Sequence, residues 1–312
     1  MRFPGVLPAV TTPFDAAGAV DVDALQANVH ALLDAGVHGI VGTGTMGEAG
    51  SLSAAERRTV IAAIVEAVDG RVPVVAGVSA ATAEQAGAFA RDAAAAGAGA
   101  LMSLPPLGYR GDDAEVEAFF AAVASATGLP LMVYNNPEAS GVDMPAPLIA
   151  RIAANVEQVV AVKECSGDVR RIPALLHATE LEVLVGGDDW ALEGFCAGAT
   201  GWVSGVADVA PAECVALYEH SRAGALDAAR EVYARLLPLA RFDMTPKLVQ
   251  YFKSAMDAVG LTGGPTRPPR LPLTDDERAA LDDALATLRG AGLQRPEADG
   301  RLQAAGLDAS RR

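Results

Sequence analysis

The chain has 312 residues, long for one ordinary domain but normal for one α/β barrel with a short addition, and half of them are hydrophobic, enough for a large core. Its formal charge of -15, with no basic stretch, argues against nucleic acid and membranes as partners, because both present negative charge. Cys165, Cys196 and Cys214 show neither CxxC spacing nor a paired histidine, so reduced thiols in a cytoplasmic protein are expected rather than disulfides or a zinc site.

The opening Met1-Arg2-Phe3-Pro4-Gly5 has no apolar signal core and passes straight into a strand. Short apolar runs then begin near Val6, Gly39, Pro73, Ala100, Pro130, Val159, Leu181 and Gly201. Successive runs start about 20 to 35 residues apart, the spacing of repeated βα units. They are mostly continuous rather than alternating, as in a parallel sheet covered on both faces. The spacing predicts a helix over 23–33, with Leu25, Val29, Leu32 and Leu33 on one side. A second is predicted over 53–68, opened by a Ser53/Glu56 capping box and continued by Val60, Ile61, Ile64, Val65 and Val68.

Gly36, Gly97 and Gly198 each sit between a helical stretch and a strand, where a helix C-cap needs positive φ. Eight such units could form an open doubly wound sheet, but no GxGxxG follows the first strand and eight regular units close naturally. The expected fold class is therefore α/β, a (β/α)8 TIM barrel. After the eighth strand, helices are predicted over 211–223, 226–239, 246–259 and 274–288. The first completes the barrel and the other three form an appended helical bundle, joined by a linker-like crossing at 262–269. The expected division is a barrel over 1–224, a helical extension over 225–290 and a flexible tail over 291–312. No stretch is apolar and long enough to suggest a membrane span.

The chain contains three lysines, Lys163, Lys247 and Lys253. Lys247 and Lys253 fall on a C-terminal helical stretch, where a solvated position is expected. Lys163 lies near the C-terminal end of the sixth run, Val159-Val160-Ala161-Val162-Lys163-Glu164-Cys165, and alternation puts Ala161, Lys163 and Cys165 on one face. Barrel active sites form at the C-terminal ends of strands. Burial there is expected to lower the ammonium pKa and free the amine as a nucleophile toward carbonyls or imines. The competing reading is a lysine paired with a buried carboxylate, or one snorkelling at the rim.

Gly42-Thr43-Gly44-Thr45-Met46-Gly47-Glu48 ends the second run, and its successive N–H groups with the Thr45 hydroxyl suit a carboxylate. No Walker lysine follows, so nucleotide binding is not supported. Tyr134-Asn135-Asn136-Pro137 ends the fifth run. Its phenol could shuttle protons beside the lysine, or merely plug the barrel mouth. Gly186-Gly187-Asp188-Asp189 and Gly201-Trp202-Val203-Ser204-Gly205 could line the same mouth, which makes Gly187 and Val203 candidate substrate contacts. Asp188 and Asp189 are expected as helix N-caps. His30, His38, His177 and His220 fall on helices or helix ends, where surface positions are expected.

Together, in this order, these clusters and the opening Gly5-Val6-Leu7-Pro8-Ala9-Val10-Thr11-Thr12-Pro13-Phe14 resemble the dihydrodipicolinate synthase / N-acetylneuraminate lyase family over about residues 4 to 290. The resemblance implies Lys163 as a Schiff-base lysine, Tyr134 as the acid/base phenol, and Thr45 with the Met46 amide gripping a substrate carboxylate, flanked by Gly44 and Gly47. It implies a small keto or imino acid as substrate, no metal or organic cofactor, and a homotetramer built as a dimer of dimers.

The chain departs from the synthase pattern in three places. Met46 stands where the synthases carry the second of two threonines, a member of a proton relay. Leu107 stands where a tyrosine crosses the dimer, with Tyr109 two residues on. The arginine that binds the aldehyde substrate's carboxylate is replaced in Glu138-Ala139-Ser140, so Ala139 and Ser140 occupy that stretch. Tyr134-Asn135-Asn136-Pro137, Lys163-Glu164-Cys165-Ser166-Gly167-Asp168-Val169-Arg170-Arg171 and Lys247-Leu248-Val249-Gln250-Tyr251 are similar to deaminases of 1-pyrroline-4-hydroxy-2-carboxylate, which yield 2-oxoglutarate semialdehyde. That deaminase is the expected activity. The alternatives are 4-hydroxy-tetrahydrodipicolinate synthase, a pyruvate-dependent sugar-acid aldolase or dehydratase, and a non-catalytic keto-acid sensor.

Overall fold

A computed structural model describes residues 2–290; the tail expected at 291–312 lies outside the described residues. Eight strands occur among the described residues, each within one residue of its expected start: β1 Gly5–Pro8, β2 Ile40–Gly42, β3 Val74–Gly77, β4 Ala100–Ser103, β5 Leu131–Asn135, β6 Val159–Glu164, β7 Glu182–Val185 and β8 Gly201–Ser204. Nearly every strand residue is buried, which is why the runs read as continuous apolar segments. The sheet order is β1-β8-β7-β6-β5-β4-β3-β2, with every pairing parallel. Ala9 bridges Val41, and the Val10 N–H donates to the Val41 carbonyl at 3.0 Å, which brings β1 and β2 together and closes the barrel.

The helices between strands are α1 Val22–Asp34, α2 Ala54–Val68, α3 Ala83–Ala95, α4 Asp113–Ser125, α5 Pro137–Ser140, α6 Ala146–Asn155, α7 Arg171–Ala178 and α8 Ala191–Cys196. The Ser53/Glu56 capping box is present at the start of α2. Gly36, Gly97 and Gly198 hold φ of 86°, 96° and 105°, so each turns its helix back toward a strand in a conformation other residues resist.

Beyond β8 come α9 Pro211–Arg222, α10 Leu226–Ala240, α11 Leu248–Val259 and α12 Asp275–Arg289. α11 begins two residues later than expected. A 3-10 turn, Arg241–Met244, precedes it, and Thr245 holds that turn with its hydroxyl on the Phe242 carbonyl at 2.8 Å. α10 packs on α9 and α12, while α11 lies against the 3-10 turns at 206–208 and 241–244. Among the described residues, no helix is long and apolar enough to cross a membrane.

Of the positions expected at the surface, Lys253 is inside and His38 and Lys247 are only partly exposed. Lys253, on α11, is fully buried: its ammonium donates to Glu48 Oε1 at 2.8 Å and to the Pro265 carbonyl at 2.8 Å, 4.5 Å from the Phe14 ring centre. Helical spacing could not show that the apolar face of α11 meets a buried carboxylate. His38 is half-buried beside β1, where its Nδ1 accepts the Val6 N–H at 3.2 Å and its ring meets Tyr218 edge-on. Lys247 is half-buried and paired with Glu277 at 2.6 Å rather than fully solvated.

Candidate active site

The pleat of β6 sends Val162 and Glu164 toward the helices and Lys163 inward. Glu164, on the outer side, accepts Asn135 Nδ2 at 2.9 Å and the Ser166 N–H at 2.7 Å, tying the ends of β5 and β6 together. In the parallel register Tyr134 pairs with Lys163. The lysine Nζ lies 4.2 Å from the centre of the Tyr134 ring, and both side chains are buried. The Asn136 side chain donates to the Tyr134 phenol oxygen at 3.0 Å and receives the Ala139 N–H at 3.0 Å, so the start of α5 orients the phenol. Its own O–H proton remains available for transfer.

Lys163 reaches the cavity because position 186 has no side chain. A Cβ there would stand 2.6 Å from the Cys165 Cβ and 3.0 Å from the Lys163 Cε. The loop after β2 is equally constrained. Thr43 and Glu48 both hold φ of 53°, a left-handed conformation costing roughly 1–3 kcal/mol per residue. Thr43 Oγ1 donates to the Gly77 carbonyl at 2.9 Å and Thr12 Oγ1 to the Gly47 carbonyl at 2.8 Å. Buried Glu48 completes the anchor, accepting Lys253, the Arg267 N–H at 3.1 Å and Arg270 at 3.3 Å. Among the described residues, the Thr45 and Met46 N–H groups donate to no protein acceptor. They are open donors at the rim.

A cavity of about 330 Å³ brings Lys163, Tyr134, Thr45 and Met46 together, and Gly44, Ala139 and Val203 form further parts of its wall. Five expected positions lie elsewhere. Gly47 is behind the loop, facing the Val10 carbonyl. Gly187 packs under the Trp190 indole, and Gly186 takes the place at the cavity instead. Leu107 is half-buried, with its N–H on the Ala80 carbonyl. Tyr109 is 54% exposed, its phenol on Glu115 at 2.9 Å. Ser140 spends its hydroxyl on the Asn136 carbonyl at 2.8 Å, closing the short α5.

Asp188 is not the cap expected for its own helical turn. It is buried and accepts Trp202 Nε1 at 3.0 Å and the N–H groups of Gly205 and Val206 at 3.1 and 2.6 Å, organising the turn after β8. Sequence reasoning missed Asp243. The 3-10 turn between α10 and α11 places it in the cavity wall with Lys163, where it accepts the Asp188 N–H at 3.2 Å. The available signal was an acid in a non-helical break, Asp243-Met244-Thr245-Pro246, between two amphipathic helices.

The electrostatics correct the expectation of an unprotonated amine. Burial, the largest single influence, pulls the Lys163 ammonium pKa down, while Tyr134, Cys165 and Asp243 each pull it up in the pH range where they are ionised, and the net direction is upward. Burial also raises the Tyr134 phenol and pushes the Cys165 thiol up to about 12, so both are neutral at physiological pH. Burial lifts Asp243 to about 6, against the pull of Lys163. At neutral pH, Asp243 is thus the ionised member of the three acids around Lys163. Among the described residues, no three His, Cys, Asp or Glu side chains are grouped to hold a metal ion.

A lysine and a phenol side by side on adjacent strands, at the C-terminal mouth of a barrel and beside a loop of open amides, define a Schiff-base lyase of the aldolase kind. Residues 2–288 match the model of the Dihydrodipicolinate synthetase family, and the chain belongs to that family. It is 40% identical over 295 residues to the 4-hydroxy-tetrahydrodipicolinate synthase of Kineococcus radiotolerans, covering 93% of this chain and 96% of the relative. The synthase of the same name from Methanothrix thermoacetophila is 35% identical over 289 residues, covering 92% and 97%. The solved 4-hydroxy-tetrahydrodipicolinate synthase of Methylacidiphilum fumariolicum SolV superposes with a TM-score of 0.89 at 28% identity, over 93% of this chain and 97% of the other.

Proposed function

We propose that this enzyme binds a 2-keto acid as a covalent imine on Lys163 and uses it to make or break a bond at the adjacent carbon. The carrying observation is the Lys163 amine 4.2 Å from the Tyr134 ring inside one cavity. Starting from the ammonium, R–NH3+ and the C2 carbonyl give R–NH+=C and one water. The C–N bond forms, the C=O bond breaks, and protons leaving nitrogen end on the departing oxygen. Tyr134 is the group placed to carry them. Thr45 and the open Thr45 and Met46 amides would hold the substrate carboxylate, with Gly44 and Val203 leaving room for it. The iminium then acts as an electron sink for the neighbouring carbon, so the proposal invokes no metal or organic cofactor.

The names of the relatives support a synthase reaction first, condensation of a pyruvate-derived enamine with an aldehyde. They do not support the deaminase expected from sequence. One observation keeps the deaminase as a second reading: Met46 and Ala139 line the cavity where the synthase pattern carries a relay hydroxyl and an arginine, and no arginine is among the described lining residues. A substrate without a second carboxylate fits that wall better. The proposal also includes a cytoplasmic location, in keeping with unpaired Cys165, Cys196 and Cys214, a catalytic barrel over 1–224 carrying the helices of 225–290, and a dimer-of-dimers tetramer.

The test combines Lys163→Ala with a substrate panel. Lys163→Ala is expected to lose activity and borohydride trapping, and full activity in that variant rejects the proposal. Tyr134→Phe is expected to slow turnover while leaving trapping detectable. Condensation of pyruvate with aspartate semialdehyde identifies a synthase, ammonia release from a cyclic imino acid a deaminase, and pyruvate release from keto-sugar acids an aldolase.

A further inference from the structure

We propose, resting on the Schiff-base reading above, that Asp243 is the counter-ion of Lys163, a positioning residue that the C-terminal helices deliver to the barrel to hold the ammonium before reaction and the iminium after it. The placement is built rather than incidental. Asp243 sits on the 3-10 turn between α10 and α11 and shares the cavity wall with Lys163. Its Oδ2 receives the Asp188 N–H at 3.2 Å, which holds the turn over the end of β7, next to β6. Phe242 stacks on Tyr251 of α11 with ring centres 4.0 Å apart, and Thr245 closes the turn on the Phe242 carbonyl. The turn is therefore pinned at both ends.

The charge balance explains why a fixed carboxylate helps. Imine formation from the ammonium conserves one positive charge on nitrogen, R–NH3+ plus C=O giving R–NH+=C plus H2O. A cation in a buried site needs a partner throughout, and Asp243 need not change its own protonation to serve. The other groups facing it do not fill this role at neutral pH. Tyr134 and Cys165 keep their protons, and Asp188 spends its carboxylate oxygens on Trp202 Nε1 and the Gly205 and Val206 N–H groups. Asp189, from the turn after β7, is itself raised by burial and approached by Arg241. Burial places Asp243 at about 6, so the counter-charge is present at neutral pH and is lost as pH falls through that value.

The experiment measures kcat/KM and the mass of the borohydride-trapped pyruvate adduct from about pH 5 to about pH 8, for wild type, Asp243→Asn and Asp243→Glu. Wild type is expected to lose activity and trapping on an acid limb near 6. Asp243→Asn is expected to fall about tenfold at neutral pH and to lose that limb, and Asp243→Glu to recover part of both. Asparagine still accepts the Asp188 N–H, so a merely structural role predicts an unchanged profile. A limb that persists in Asp243→Asn, or wild-type yields in that variant, overturns the assignment, as does a wild type with no acid limb. A wild type that never traps pyruvate overturns the Schiff-base reading and this inference with it. Trapping in wild type with an unaltered Asp243→Asn profile overturns the inference alone.

Discussion

Gly186 shows how tightly the lysine is fitted. Its missing side chain leaves the path by which Lys163 crosses from β6 to the cavity, with Cys165 on the other side. Gly186→Ala places a methyl 2.6 Å from the Cys165 Cβ, so the strand end or the lysine must move. We expect a stability loss of about 1–3 kcal/mol by thermal or urea unfolding, and a kcat loss exceeding any change in KM. Unchanged kcat would show that the lysine tolerates displacement. Lys163 and Tyr134 could be found from sequence because each interrupts an apolar strand at its C-terminal end. Asp243 could not, since only folding brings the break between α10 and α11 over the barrel. The charge state of the amine was equally hidden. It depends on a carboxylate 80 residues along the chain from Lys163.

At the scale of elements, the loop after β2 depends on helices far along the chain. Glu48 is buried with a left-handed backbone, and Lys253 of α11 meets it at 2.8 Å with both side chains almost wholly inaccessible. Lys253→Ala leaves that carboxylate buried with only the Arg267 N–H and the partly exposed Arg270 as partners. A loss of about 3–5 kcal/mol in unfolding free energy is expected, accompanied by a weaker KM for the keto acid as the Thr45–Met46 turn loosens. A shift under about 1 kcal/mol would place the pair among ordinary exposed ion pairs instead. The strands themselves were readable, because burial on both faces leaves continuous Val, Ile, Leu and Ala runs. The loop was readable only as composition. Its two left-handed non-glycine residues and its buried salt bridge follow from tertiary contacts that local pattern does not encode.

For the whole molecule, eight regular units with positive-φ glycines at their helix ends made closure into a barrel foreseeable, and the remaining helices then had to pack outside it. What they do there was not foreseeable: α11 anchors the loop after β2 through Lys253, and the turn before it places Asp243 in the cavity wall. The proposed tetramer belongs to this scale. Sedimentation equilibrium at enzyme-assay concentrations is expected to give a four-chain mass, and a one-chain mass with full activity would remove oligomerisation from the account. Tyr109, largely exposed on the single chain, is the first place to look for a contact between copies. The central claim is most directly tested by peptide mapping after borohydride reduction with pyruvate. With three lysines in the chain the result is unambiguous. The account predicts the added mass on the peptide containing Lys163 and nowhere else; an adduct on Lys247 or Lys253, or none at all, would contradict it.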